Sequence, residues 1–175
     1  MKTENLIDIL EQGENSAIEF KESSVKAEAV AKEIVGMLNY EGGVILIGIS
    51  DDKKILGIES TKEEWISNIS SNNINPPVHL KYQEIELEDR LIAIIEIPRG
   101  KDRPYQTNTG KIYIRVGSSN RIASQVELMI LFQHSGILHY DSFEIQKASI
   151  SHLNLHIVNQ YFNSIGFNFD ELSEF

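Results

Sequence analysis

Apolar residues recur at the spacing of an amphipathic helix in five segments of the chain. Ser23 or Ser24 is predicted to cap the second of these helices. Ser60 and Ser124 each stand three residues before a glutamate, which is the spacing of an N-terminal capping box. The predicted helices lie at about 4–12, from Ser23 or Ser24 to Gly42, at about 61–72, from Ser124 to near Gly136, and from Leu155 to Gly166.

Other segments alternate apolar with polar residues or are apolar throughout, and both patterns indicate β-strands. Residues 17–21 alternate and predict a half-buried strand with Ile18 and Phe20 on one face. Val44–Ile49 is apolar throughout, as in a strand buried on both faces. The polar residues that follow predict a turn and a hairpin that includes residues 55–58.

A second hairpin is predicted from residues 78–87 and 91–97, and residues 111–116 predict a further alternating strand. On that strand Lys111, Tyr113 and Arg115 share one face, and the apolar residues share the other. We expect a single sheet core to bury Ile18, Phe20, Ile45, Ile47, Ile112 and Ile114.

These elements predict an α+β fold with a mixed, mainly antiparallel sheet, flanking helices and a C-terminal helical extension, because helices and hairpins are mixed without a regular βαβ alternation. The main domain is predicted at residues 1–138 and the extension at 139–175. Apolar residues continue to the last position, where they need a partner to bury them. We therefore expect that the natural protein continues beyond Phe167, Phe169, Leu172 and Phe175.

Composition narrows the class of protein. The 175 residues are 41% hydrophobic and 24% charged, as in an ordinary globular protein. Cysteine is absent, so a disulfide framework and a thiolate zinc site are excluded, and a reducing compartment such as the cytoplasm is expected. No segment reaches the roughly 20 apolar residues that span a bilayer, so no membrane association is expected.

The net charge of −10 argues against a nucleic-acid ligand, but the charges are distributed unevenly. Between Arg99 and Arg121 the chain carries six basic residues and one acid, a local charge of +5, which leaves −15 for the remainder. A basic face on an acidic body can still attract a polyanion. We expect cations, serines and a tyrosine to contact its phosphates and bases: Lys21, Arg99, Lys101, Arg103, Lys111, Tyr113, Arg115, Ser118, Ser119 and Arg121. The alternative is an exposed edge strand that its charges protect.

Three carboxylates near predicted strand ends form a second candidate site: Glu14, Glu19 and Asp51. Carboxylates of this kind hold Mg²⁺ or Mn²⁺, and a metal pair can promote cleavage of a phosphodiester. Glu14 and Glu19 are five residues apart, so they meet only if the chain bends at Asn15-Ser16. The alternative is three unrelated solvated carboxylates.

Several of these segments together resemble the Schlafen AlbA-type DNA-binding domain of bacterial regulators, of helicase-like proteins with a divergent AAA region, and of animal Schlafens. The resemblance covers about residues 5–135. It implies a nucleic-acid-binding module of transcriptional-regulator type. The segments that carry it are Gly13-Glu14, Ile18–Glu22, Asn39–Gly43, Ile47–Asp51 and Ile112–Asn120.

In animal Schlafens that cleave transfer RNA, two glutamates and an aspartate form the active site, and these correspond to Glu14, Glu19 and either Asp51 or Asp52 here. The resemblance thus also implies an alternative, an endoribonuclease dependent on Mg²⁺ or Mn²⁺. A third hypothesis is a protein-interaction domain that forms a homodimer. The ligand of the first hypothesis, DNA or RNA, stays open.

Overall fold

The structure is a computed structural model that describes residues 3–134, 154–164 and 166. It divides into two units, Met1–Leu138 and His139–Phe175. The helices are α1 (Thr3–Gln12), α2 (Ala27–Leu38), α3 (Glu63–Asn72), α4 (Gln125–His134) and α5 (Leu155–Ser164). The strands are β1 (Ile18–Lys21), β2 (Gly43–Ile47), β3 (Ile74–Asn75), β4 (Lys81–Leu87), β5 (Arg90–Ile97), β6 (Gln106–Thr107), β7 (Tyr113–Val116) and β8 (Ser119–Ile122).

A four-stranded sheet in the order β1-β2-β5-β4 forms the centre of the first unit. The α2 helix connects β1 to β2, which are parallel, and the other two pairings are antiparallel. The short pairs β3-β6 and β7-β8 lie outside this sheet. This arrangement confirms the predicted α+β class with mainly antiparallel pairing.

Apolar side chains cover both faces of the central sheet. One face packs Ile45, Ile47 and Ile95 against α2 and α3, and the other packs Phe20 and Leu46 against α1. The alternation of strand side chains assigns successive residues to these two layers. The predicted burial of Ile18, Phe20, Ile45 and Ile47 is confirmed. The prediction that they share one core is wrong, because the sheet separates the two pairs.

The β7-β8 hairpin has the opposite orientation to the one expected. Ile112 and Ile114 are only half-buried, Val116 is 52% exposed, and Arg115 is buried at 3% exposure. The polar face of β7 packs against α2, because that helix carries a glutamate that pairs with Arg115. The predicted burial of Ile112 and Ile114 in the sheet core is wrong for the same reason.

Local predictions succeed where the signal is strong. The hairpin β4-β5 forms, with positive φ at Glu88 and Asp89 in its two-residue turn. Ser124 and Glu127 form the predicted capping box, since the Ser124 N–H donates to Glu127 at 2.9 Å and the Glu127 N–H donates to the Ser124 hydroxyl at 3.4 Å. Residues 55–58 form only an isolated bridge, Ile49 to Ile55, instead of a hairpin strand.

Two predicted caps are not formed. The N-cap of α2 is Lys26 rather than Ser23 or Ser24, and that of α3 is Lys62 rather than Ser60, in both cases without a side-chain hydrogen bond. Thr61 supplies a weak substitute, because its hydroxyl accepts the Glu63 N–H at 3.4 Å.

In the second unit, α5 has no buried residue, and Gly166 follows it with a φ of +77°. The apolar residues from Phe167 to Phe175 lie outside the described residues. No described helix is long and apolar enough to cross a membrane.

Candidate nucleic-acid interface

The chain turns sharply before β1, as the pair Asn15-Ser16 predicts. The Asn15 side-chain oxygen accepts the N–H groups of Ala17 at 2.8 Å and Ile18 at 3.1 Å, which is an Asx-type turn. The turn brings Glu14 alongside the strand, where Glu14 Oε1 accepts the Phe20 N–H at 3.0 Å. Glu14 therefore binds the strand backbone instead of facing away from it.

Side chains close the outer edge of β1. In this strand Ile18 and Phe20 direct their backbone groups away from β2, and all four groups have partners. The two N–H groups donate to Asn15 and Glu14, the Ile18 carbonyl accepts Arg115 Nη2 at 3.1 Å, and the Phe20 carbonyl accepts Lys21 Nζ at 3.0 Å. Lys21 is thus held at the strand and is not a free phosphate contact.

Arg115 is the centre of a buried charge cluster that joins β7, β1 and α2. Its Nη1 donates to Glu33 Oε2 at 2.8 Å and its Nη2 to Glu19 Oε2 at 2.7 Å. Lys21 forms a short ion pair with the other oxygen of Glu19. Asn120 Nδ2 donates to Glu33 Oε2 at 2.5 Å, next to Gly36, where any side chain would collide with Asn120. Two carboxylates and two cations balance within this cluster, the Arg115 cluster.

Glu33 has a perturbed pKa in this cluster. Burial raises the pKa of its carboxyl above the usual 4.5, the neighbouring Glu19 raises it further, and Lys21, Arg115 and Lys32 oppose the shift. The net rise means that burial outweighs the nearby cations. A buried glutamate of this kind depends strongly on Arg115, because without the guanidinium its charge would have no close partner.

The three predicted metal ligands do not form a metal site. Both oxygens of Glu19 are occupied by Lys21 and Arg115, and Glu14 binds the Phe20 N–H. Asp51 and Asp52 lie in an exposed turn. Within residues 3–134, 154–164 and 166, no three His, Asp or Glu side chains are placed to hold a metal ion. The residues as placed therefore do not fit Mg²⁺ or Mn²⁺.

Two of the predicted phosphate contacts, Arg115 and Arg121, already form ion pairs within the protein. The Arg115 side chain has no exposed surface and is paired with Glu19 and Glu33, so it offers no surface to a phosphate in this structure. Arg121 is exposed, but its guanidinium donates to both oxygens of Glu127, at 2.8 Å and 2.7 Å. This pair lowers the pKa of the Glu127 carboxyl to about 2. Ser118 is exposed in the turn between β7 and β8, and Ser119 is exposed at the start of β8.

The other predicted cations are available to a ligand. In the described part of the chain, Lys101, Arg103 and Lys111 have neither an ion pair nor a side-chain hydrogen bond, and the buried Nε of Arg103 has no partner. Arg99 is 3.5 Å from Glu41, with more than half of both side chains exposed, so this contact is weak. We name Lys101, Arg103 and Lys111 the free cations.

Asn39 fixes the two chain segments that carry the free cations. This buried residue follows α2, and its amide donates to the carbonyls of Tyr105 and Tyr113, both at 2.8 Å. Its oxygen accepts the Tyr105 N–H at 2.7 Å. Gly100 approaches the same helix end, where its N–H donates to the Leu38 carbonyl at 2.9 Å. One side chain thus positions the 99–105 loop and β7 against a single helix end.

A groove of about 270 Å³ lies between α2 and the loop that precedes β7. Lys32 and Lys111 line it together with Tyr113, and the Lys32 Nζ stands 5.7 Å from the centre of the Tyr113 ring. The rest of the lining is mainly polar: Glu28, Ala29, Ala31, Thr107, Asn108 and Thr109. We call this the Tyr113 groove.

Sequence reasoning missed Glu33, Lys32 and Asn39. A signal for Glu33 and Asn39 existed, because both stand at helical spacing from apolar residues of α2 and so on its buried side. An acid or an amide at such a position predicts a buried polar partner. Lys32 carried no comparable signal.

Comparisons with known proteins agree with the fold. A crystal structure of a protein from Corynebacterium diphtheriae matches with a TM-score of 0.57 and 20% identity, over 67% of this chain and 24% of that chain. The solution structure of the N-terminal domain of a RecG-related protein from Nitrosomonas europaea, named for an ATP-dependent DNA helicase, matches with a TM-score of 0.54 and 21% identity, over 71% of this chain and 95% of that domain. A comparison with curated proteins found no match.

This chain thus spans about a quarter of the C. diphtheriae chain, and at these identities the two structures support the fold alone. The family model described as "Schlafen, AlbA_2" matches residues 14–124, which is more than half of the chain. This match includes the Arg115 cluster, Asn39 and the Tyr113 groove. The chain therefore belongs to the Schlafen, AlbA_2 family.

Proposed function

We propose that this chain is a nucleic-acid-binding module that contacts the phosphate backbone through the free cations. The carrying observation is that Lys101, Arg103 and Lys111 have no carboxylate partner among the described residues, although the sequence holds 26 acids and only 16 basic residues. With acids in such excess, unpaired cations on segments that Asn39 holds against one helix end favour a local positive potential. Such a region is what a polyanion needs from an acidic protein.

The alternative of a charge-protected edge strand suits these residues less well. Lys101 and Arg103 lie in the loop between β5 and β6, and Lys111 precedes β7, so none of them belongs to a strand. A cation protects a strand edge only when it stands on that strand. Loops that carry cations on a fixed scaffold are instead common binding elements.

The test compares two triple variants that remove the same charge. The first is K101A/R103A/K111A, and the control is K26A/K54A/K81A, which removes three exposed lysines elsewhere. Binding of a labelled DNA duplex is measured by fluorescence anisotropy over a series of salt concentrations. We expect the first variant to lower the slope of log affinity against log salt by about 0.9 for each phosphate that it no longer neutralises, and the control to leave the slope unchanged.

Equal slopes for the two triple variants would contradict the proposal. Loss of binding in both would show that only the net charge matters. The absence of binding by the wild type to both DNA and RNA would instead favour the protein-interaction hypothesis.

The nuclease hypothesis is tested with transfer RNA in the presence of Mn²⁺ or a chelator. We expect retention without cleavage under both conditions, because Glu14, Glu19 and Asp51 are not placed to share a metal. Cleavage that requires Mn²⁺ and is lost in D51N would favour the nuclease. Asp51 is exposed, so this variant should keep its fold.

A further inference from the structure

We propose that the Tyr113 groove receives one unpaired nucleotide of a single-stranded nucleic acid, with its base against the Tyr113 ring and its phosphate between Lys32 and Lys111. This inference rests on the proposed function and adds to it a class of substrate. Backbone contacts alone would not distinguish a single strand from a duplex. The groove would make that distinction, because it has a place for a base.

The size of the groove limits its occupant. Its volume is about 270 Å³, bounded by α2 on one side and by the loop before β7 on the other. We expect a groove of this size to admit one base together with its phosphate, and not a duplex. In a duplex the bases are also paired and stacked inside the helix, so none is free to enter.

The Tyr113 ring is held in place before a ligand arrives. Part of the side chain packs on the core formed by α2 and the central sheet, and the Tyr113 carbonyl is fixed by Asn39 at 2.8 Å. The remaining part borders the groove. A ring fixed in this way loses little conformational entropy on binding, and stacking of bases on aromatic side chains does not depend on sequence.

Charge on both walls of the groove suits a nucleotide. Lys32 approaches the ring from α2, and Lys111 stands on the loop without an ion pair in the described residues. The hydroxyls of Thr107 and Thr109 are 2.9 Å apart in the same lining and add polar contacts. Glu28 also lines the groove, and its carboxylate opposes an anionic ligand.

A purely structural role accounts for less of this geometry. A lysine above a half-buried tyrosine stabilises a surface modestly by itself. That role explains the position of Lys32, but it requires neither an open groove nor a second unpaired lysine on the opposite wall. A nucleotide site explains all three features.

The experiment measures the affinity of Y113F and Y113L for an oligothymidylate and for a DNA duplex of equal length at one salt concentration. Phenylalanine keeps the aromatic face, and leucine keeps an apolar side chain against the core without a ring. We expect Y113F to bind the single strand like the wild type and Y113L to bind it about fivefold to a hundredfold more weakly, the usual range for loss of one stacked base. Duplex affinity should be the same in both.

Two further variants keep the test decisive if Y113L does not fold, which a thermal melt reports. K32A should lower the salt slope for the single strand by about 0.7, the value for one phosphate contact. E28Q should strengthen single-strand binding by removing a repelling charge from the exposed N-terminal part of α2.

Equal single-strand affinities of Y113L and Y113F would overturn the groove site. So would a K32A variant with the wild-type slope. In both cases duplex binding that still depends on the free cations would leave the proposed function intact. Failure of the wild type to bind either polymer would instead reject the proposed function, and the groove site with it.

Discussion

Strand β7 and the loop just before it carry basic residues that have opposite surroundings. Arg115, near the end of the strand, is buried and shared between two glutamates. Lys111, just before its start, is exposed and has no ion-pair partner in the described chain. Tyr113 lies between them, half-buried, on the same face. Exposure thus increases along this segment of the chain, from Arg115 back to Lys111.

The difference shows that a cation's surroundings, more than its type, decide its role. Arg115 meets Glu33, which has little contact with water and needs a fixed counter-charge. Lys111 meets a groove with room for a ligand and so retains its charge for an external anion. Arg115 holds the β7-β8 hairpin to α2, whereas Lys111 stays available to bind a ligand.

Of all the substitutions proposed, loss of Arg115 should lower the free energy of unfolding the most. R115A leaves Glu19 and Glu33 without their guanidinium partner in a buried site, so we expect unfolding free energy to fall by about 3–5 kcal/mol. The matched variant K111A removes the same charge and should change it by less than about 0.5 kcal/mol. Urea unfolding followed by circular dichroism measures both. Similar stabilities for the two variants would abolish the proposed division of roles.

A variant of Asn39 tests whether this side chain holds the segments that carry the free cations in place. N39A deprives the buried Tyr105 N–H of its acceptor and two carbonyls of their donor, and each unsatisfied buried group costs about 1–3 kcal/mol. We expect a decrease of about 3 kcal/mol or more in the free energy of unfolding in urea. At a temperature where the variant is folded, we also expect weaker nucleic-acid binding. Lower stability with unchanged affinity would mean that Asn39 does not position the free cations.

The titration of Glu33 tests whether burial or ion pairing dominates in the Arg115 cluster. Its pKa in the folded chain is raised, so the folded state holds the proton more tightly than the unfolded chain does. The stabilisation from the protonated carboxyl is therefore present at low pH and is lost as pH rises from about 4.5 through the raised pKa. E33Q removes this titration.

The difference in unfolding free energy, wild type minus E33Q, should accordingly fall as pH rises from about 4 and then level out. Measuring it as a difference cancels the carboxyls that both proteins share. A difference that rises with pH would mean that Arg115, and not burial, has the larger effect on the pKa of the Glu33 carboxyl.

Arg121 should have the smallest effect. Both of its terminal nitrogens are engaged by Glu127, so we expect R121A to change nucleic-acid affinity by less than about twofold. K111A is the comparison, measured in the same anisotropy assay at low salt. A decrease in affinity with R121A as large as that with K111A would show that an ion pair at this surface does not withhold a cation from phosphate.

The elements of the fold could be predicted from sequence because their signals are local. The apolar run of β2 and the Glu88-Asp89 hairpin need only period and turn chemistry, and both formed. The orientation of β7 could not be predicted in this way. Its apolar alternation indicated the wrong inner face, since the choice depends on Glu33, which is 82 residues away along the chain.

The candidate site was predictable as a segment but not as a set of contacts. Charge counting found residues 99–121, yet it could not separate Lys111 from Arg115 or Arg121, because pairing depends on partners that folding brings together. The carboxylate pair Glu14 and Glu19 was correctly placed near one strand. The donors that Glu14 and Glu19 meet were not predictable, since five residues of spacing cannot reveal the hydrogen-bond partners of either carboxylate.

The closed edge of β1 limits how this protein can assemble. A sheet grows into a fibre only if each copy offers a free edge on both sides, so that one copy can join the next without end. Here Glu14, Lys21 and Arg115 occupy the outward groups of β1, and within the described residues β4 is the other outer strand of the central sheet. Strand addition at β4 would join two copies and then stop, so this sheet permits a finite pair and not an endless polymer.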